Sequence, residues 1–167
     1  MSDIPIKGLA ELQKLLDELP ARIEANVVRG GVRAGARVIA NEAKRLCPVG
    51  GVSGSLRKGE QPGALRDSIR VSAKSSKGRV TATIKAGGKN EVFYAGMVEF
   101  GTARHLIKPK NRKSLSVGGD PREAVQHPGA KKKPFMRPAL DAKAQDAVET
   151  MADYARNRLP DEIAKLK

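Results

Sequence analysis

Apolar residues recur along this chain in different rhythms, and each rhythm predicts an element. Leu9, Leu12, Leu16 and Leu19 fall at i, i+3, i+7 and i+10. That is a helical stripe, and it stops before Pro20. Pro20 suits the first turn of a following helix, where its missing N–H is no loss. From there to Leu46, Ile23, Val27, Val28, Val32, Val38, Ile39, Ala43 and Leu46 share one broad arc. Arg22, Arg29, Arg33, Arg37 and Lys44 form a second stripe opposite. The predicted helix is about 26 residues long, or ~39 Å at 1.5 Å per residue, and Pro48 closes it. Gly30, Gly31 and Gly35 lie inside it, each costing ~1 kcal/mol relative to Ala. They allow another backbone to approach closely, or they mark a bend.

The rhythm changes after Pro48. Residues 49–63 have five glycines and no periodicity, so a flexible loop is expected over 50–63. Ser68–Ser72 alternates, a turn is expected over Lys74–Gly78, and Val80–Ile84 alternates again. This predicts a β-hairpin with Ile69 and Val71 on the same side as Val80, Ala82 and Ile84. Val92–Phe100 carries mixed signals: Phe93, Tyr94, Met97 and Val98 suit a helical turn, whereas Val98 and Phe100 suit a strand. Residues 103–133 show almost no apolar periodicity and read as a second, strongly basic loop; loops of this length are functional or disordered. Pro138 then opens a helix with Leu140, Ala144, Ala147, Val148, Met151, Ala155 and Leu159 on one face, and Pro160 is expected to end it. The sum is an α+β domain spanning 1–167, two long helices packed on a small antiparallel β-sheet with long basic loops.

Charge changes the picture more than composition does. The 167 residues carry 32 Lys+Arg against 18 Asp+Glu. Residues 48–133 hold 18 of the basic and 6 of the acidic groups, so the net +14 sits almost wholly in the middle of the chain. A localised field of one sign suggests an acidic partner, nucleic acid or protein; basic loops that merely confer solubility give the same pattern. Lys108, Lys110, Arg112 and Lys113, with the triplet Lys131, Lys132 and Lys133, are the candidates for contact with DNA or an acidic partner. No stacking aromatics or recognition motif accompany them, so any nucleic-acid binding would be to the phosphate backbone. With five aromatics in all, the core is expected to be aliphatic. No apolar run reaches the ~18 residues of a membrane span, and no signal-peptide core precedes the first stripe. A single cysteine, Cys47, rules out an internal disulfide, cannot supply a Cys-based zinc site, and fits a reduced cytosolic setting.

Candidate chemistry is thin. His105 and His127 both fall in the basic stretch, with Glu99, Asp120 and Glu123 the nearest carboxylates. The glycine clusters at 50–54 and 87–88 lack the Gly-Lys-Ser/Thr of a phosphate loop, and Asp67 and Glu99 do not form a recognisable catalytic pair. No catalytic residue, cofactor or metal is expected.

Three segments in order carry a resemblance. Gly8-Leu9-x-Glu11-Leu12 leads into the long helix ending at Pro48. Gly63-x-Leu65-Arg66-Asp67-Ser68-Ile69 follows. Tyr94-Ala95-x-x-Val98-Glu99-Phe100-Gly101-Thr102 then precedes Pro134-Phe135-x-x-Pro138-Ala139. The chain resembles the small tail-component (neck, tail-completion or head–tail joining) proteins of HK-type and lambdoid long-tailed bacteriophages and prophages. It departs from them by about a dozen residues inserted after Pro48, by Gln61-Pro62-Gly63 in place of a Thr-Gly approach, and by the long basic stretch after Thr102. The resemblance implies a non-enzymatic virion protein, made in the bacterial cytoplasm, that joins a ring of several copies, six being expected, at the tail end or head connector. Its implied partners are further copies of itself, neighbouring neck and tail proteins, and genomic DNA in the channel, with no membrane. Arg66, Glu99, Arg29, Arg33 and Arg37 are then candidates for subunit contacts, with Gly101 a turn residue and Phe135 an anchor for the returning chain. The alternative is a small basic protein that binds nucleic-acid backbones.

Overall fold

The computed structural model describes residues 21–49, 62–76, 78–88, 92–110 and 113–164, with only the backbone of 21–25. The first leucine stripe, Leu9 to Leu19, lies outside the described residues. So do Arg112 and most of the loop expected at 50–63. The chain divides into two compact units, Met1–Phe93 with Phe135–Lys167, and Tyr94–Pro134.

The first unit is built on helix α1, Ala21–Leu46, which has the predicted length of 26 residues. Lys44 and Arg45 in its last turn complement the negative end of the helix dipole, and Pro48 prevents continuation. Its partner, helix α4, spans Met136–Ala164. The two run antiparallel, because Gly35 lies against Ala147, Gly31 against Met151 and Gly30 against Tyr154. Gly31 and Gly35 therefore admit a neighbouring backbone and Gly30 the Tyr154 ring; of the two roles open to them, close approach is the one realised. A Cβ on Gly35 would stand 2.6 Å from the Ala147 carbonyl oxygen, and one on Gly31 3.2 Å from that of Met151. Ala36, Ala40 and Ala43 on α1, and Ala139, Ala144, Ala147 and Val148 on α4, complete a buried set dominated by small residues.

α4 corrects the sequence reading at two points. Pro160 lies inside the helix, which continues to Ala164. Proline removes one backbone donor there, and the exposure of the surrounding turn leaves the freed carbonyl to water. Leu140, in the predicted apolar stripe, stays 43% exposed; alanines make the contact where backbones meet closely, not the longest apolar side chains. Among the described residues the core is otherwise aliphatic, with one aromatic exception: Phe135 is fully buried and is the largest fully buried side chain.

α1 also packs on an antiparallel hairpin, β1 (Arg70–Ser76) and β2 (Arg79–Lys85). Its register pairs Val71 with Ile84, Ala73 with Ala82 and Ser75 with Val80, which places the apolar alternation on one face as expected. The turn is tighter than the sequence suggested: Ser76 pairs with Arg79, and Gly78 takes φ 72°, a conformation glycine adopts without strain. A one-turn helix α2, Ala64–Asp67, precedes the hairpin and buries Leu65. The Ser68 hydroxyl donates to the Leu65 carbonyl at 2.6 Å and accepts from the Gly87 amide at 2.8 Å. Arg70 closes the same corner, donating to the Gly87 carbonyl at 2.6 Å. The Leu65–Ile69 motif is thus a corner that fixes both ends of the hairpin, with Leu65 and Ile69 as its buried pegs.

The second unit opens with helix α3, Ala95–Phe100, which settles the mixed signal at Val92–Phe100. The long basic stretch is not a featureless loop. It folds into two nested pairs, β3 (His105–Ile107) with β6 (Val125–His127), and β4 (Leu115–Val117) with β5 (Asp120–Arg122). Gly118 and Gly119 form the tip at φ 63° and 97°, the double positive φ of a type I′ hairpin turn. Residues 105–127 therefore make a β-arm in which seven residues of sequence, 108–114, separate β3 from β4 while two, Glu123 and Ala124, separate β5 from β6; the longer connection is the bulge side. Periodicity missed it because each strand is three residues long and largely exposed, so no face alternates.

Candidate assembly surfaces

The second unit has almost no interior. Its only buried residue among those described is Glu99, whereas Met97, Phe100, Leu106, Ile107 and Val117 are all exposed, Phe100 at 75%. An apolar side chain left in water forgoes ~1.5–3 kcal/mol relative to burial. Five in one short unit with no core give a partner apolar side chains to cover on more than one side, since Leu106 and Ile107 are successive on β3 and face opposite ways.

Backbone hydrogen bonds hold this unit together in place of a core. The Lys133 amide donates to the Val98 carbonyl at 2.8 Å, and the Thr102 amide to the Ala130 carbonyl at 3.0 Å. The Thr102 hydroxyl accepts from the Ala130 amide at 2.8 Å. Gly101 makes this possible: at φ 75°, a Cβ there would meet the Ala130 carbonyl oxygen at 2.7 Å. Glu99-Phe100-Gly101-Thr102 is therefore a clamp on residues 130–133. Glu99, proposed from sequence as a subunit contact, is 8% exposed within the single chain.

The basic candidates divide into two groups. Lys108, Lys110 and Lys113 are exposed in or beside the bulge of the arm, next to the Ile107–Val125 end of the β3–β6 ladder. Lys131, Lys132 and Lys133 are exposed beyond the His105–His127 end, on the extended segment held by the clamp. The arm keeps these two groups apart. It also brings His105 and His127 side by side, ring centres 5.0 Å apart and planes tilted by 36°, a pairing that 22 residues of sequence separation concealed. The Gly129 amide donates to Nδ1 of His127 at 3.1 Å, and Nδ1 of His105 lies 2.9 Å from the Ala103 carbonyl. No third ligand joins them: among the described residues no group of three or more His, Cys, Asp or Glu could hold a metal.

In the first unit, Arg29, Arg33 and Arg37 stand exposed at one-turn intervals on α1. Arg66 is exposed but engaged, its Nε 3.0 Å from the Asp67 carboxylate. That hydrogen bond holds the Asp67 carboxyl below its usual range and the Arg66 guanidinium above its own. Cys47 is buried, and desolvation pushes its thiol above the ordinary range. A neutral buried thiol is a structural residue, not a nucleophile. No helix among the described residues is long and apolar enough to cross a membrane.

The family model described as "Bacteriophage HK97-gp10, putative tail-component" matches residues 10–101. The match covers α1, the corner, the hairpin and α3, and ends within the clamp. No curated protein and no solved structure gives a significant match.

Proposed function

Because this chain belongs to the HK97-gp10-like family of bacteriophage tail components, we propose that it is a ring-forming subunit at the end of the tail, completing it or joining it to the head connector. The structural role as a tail component follows from the family; the ring and its position are the proposal. One observation carries it: the Tyr94–Pro134 unit exposes Met97, Phe100, Leu106, Ile107 and Val117 and buries no apolar side chain among its described residues. A neighbour that covers this surface supplies the burial the unit lacks.

A closed ring uses heterologous contacts, one patch on each subunit meeting a different patch on the next. The arm, apolar and lysine-bearing, is one such patch and the Arg29-Arg33-Arg37 stripe is a second; both are basic, so each meets an acidic surface of its neighbour and not the other. Arg66 lies at the corner beside the hairpin and Glu99 in the clamp on residues 130–133. The bulge lysines and Lys131–Lys133 rim the contact and meet an acidic neighbour or the DNA in the channel. Such an assembly resides in the virion and is built from subunits made in the host cytoplasm.

Sedimentation of the purified chain across concentration, alone and with the adjoining tail proteins, tests this reading. Assembly into a closed oligomer that Phe100→Ser with Ile107→Ser abolishes is expected. A chain that stays monomeric with every tail partner, or a double variant that assembles as well as wild type, would overturn it.

A further inference from the structure

Between Asp67 and Glu91 the chain has no carboxylate, yet Arg70, Lys74, Lys77, Arg79, Lys85 and Lys89 all fall there. The hairpin register sorts these residues. The alternate face to Val71 and Ile84 sets Ser72 opposite Thr83 and Lys74 opposite Thr81, with Arg79 and Lys85 at the two ends of β2. Ser72, Lys74, Arg79, Thr81, Thr83 and Lys85 are all exposed. Arg70 is committed to the Ser68 and Gly87 carbonyls. Lys74, Arg79 and Lys85 make no ion pair with a described residue.

We propose that this outer face of the β1–β2 hairpin is a contact surface for the phosphate backbone of duplex DNA. Arg79 and Lys85 are six residues apart, about 20 Å along an extended strand. Over that length a duplex presents a phosphate on each strand every ~3.4 Å, so both cations and the intervening Lys74 can each meet one. The short hydroxyls between them are donors of the kind that contact phosphate and sugar oxygens. The face carries no apolar or aromatic side chain to anchor a protein partner, and protein interfaces depend on such anchors at their centre. It offers no ring on which an unpaired base could stack, which favours a duplex over a single strand and excludes sequence preference. This surface belongs to a different unit from the arm, and the proposal stands on the hairpin alone.

Fluorescence anisotropy of the full chain with a labelled 24-bp duplex of arbitrary sequence, between 50 and 200 mM salt, provides the test. Each phosphate neutralised contributes ~0.9 to the slope of log K against log salt. The K74Q/R79Q/K85Q variant should therefore lose about 2.7 from that slope, removing a ~40-fold share of the affinity change across this range. The charge-conserving K74R/K85R variant should keep the wild-type slope, and unchanged circular dichroism verifies the fold of both. An unchanged slope in the triple variant overturns the proposal. Binding of charge-matched poly-glutamate as tightly as the duplex, lost in the same variant, would assign the face to an acidic protein instead. Neither result depends on ring formation, because the readout is binding by the single chain.

Discussion

Substituting Gly35 by alanine tests the closest point of the helix pair. In an isolated helix the change is favourable, since alanine is better than glycine by ~1 kcal/mol. Here the new methyl would lie 2.5 Å from Cε and 2.7 Å from Cγ of Met151, and 2.6 Å from the carbonyl oxygen of Ala147. Met151 can swing away. The carbonyl is backbone, and restoring an ordinary 3.4 Å contact means parting the helices by about 0.8 Å, a gap that forfeits roughly a quarter to a half of each facing dispersion contact. Overpacking of this kind costs ~1–3 kcal/mol, and a backbone obstacle puts the cost in the upper half. Setting the propensity gain against it leaves a net destabilisation of about 1–2 kcal/mol. A chain of this size loses ~2–4 °C per kcal/mol, so Tm should fall by about 2–8 °C in a thermal melt followed by circular dichroism. Asn41→Ala, on the exposed face of the same helix, should raise Tm slightly by propensity alone. Adding Met151→Ala to Gly35→Ala should not restore stability, because the Ala147 carbonyl remains. Gly35→Ala with Tm equal to or above wild type would refute backbone contact at this position.

Gly101→Ala should loosen the clamp, since φ 75° with ψ −176° is a region all but reserved for glycine and costs alanine ~1–3 kcal/mol before the contact with Ala130 is counted. Hydrogen exchange should show lost protection at the Thr102 and Lys133 amides while the α1 amides are unchanged. Reversing the charge of the stripe, with R29E/R33E/R37E together, should block oligomer formation in sedimentation and leave the melt of the single chain near wild type. Cys47 should react slowly with iodoacetamide in the native chain and readily once unfolded. Its thiol is raised by burial, so its contribution to stability is complete below the ordinary thiol range and is lost as pH rises, the unfolded chain ionising first. The alkaline decline in Tm should therefore be smaller in C47A than in wild type.

How much of this is legible in the sequence differs between elements for physical reasons. α1 has many turns, an apolar arc and a proline past its end, so its length is readable to the residue. The hairpin register follows because one face packs on a helix and the other meets water. The role of Gly30, Gly31 and Gly35 is visible only as two alternatives: a glycine permits both a bend and a close contact, and the partner that decides between them lies more than a hundred residues away. α3 spans under two turns, too few to establish a period. The arm is the largest omission. Its strands lack a buried face, its ladder is set by the Gly118–Gly119 turn and non-local backbone bonds, and the His105–His127 pair follows only from that ladder. Pro160 shows the limit of a breaker rule, because a helix can continue through proline where water satisfies the freed carbonyl. Among the candidate contacts, the lysines were found by charge. The exposed apolar set was hidden because Phe100 or Ile107 in a sequence gives no sign of whether it is covered.

The most direct test of the tail-end assignment is electron microscopy of particles from a phage or prophage in which this gene is deleted. Filled heads separated from free tails, or tails of abnormal length, are the predicted result, and which of the two appears distinguishes joining from completion. Intact, infectious virions of normal length would contradict the account.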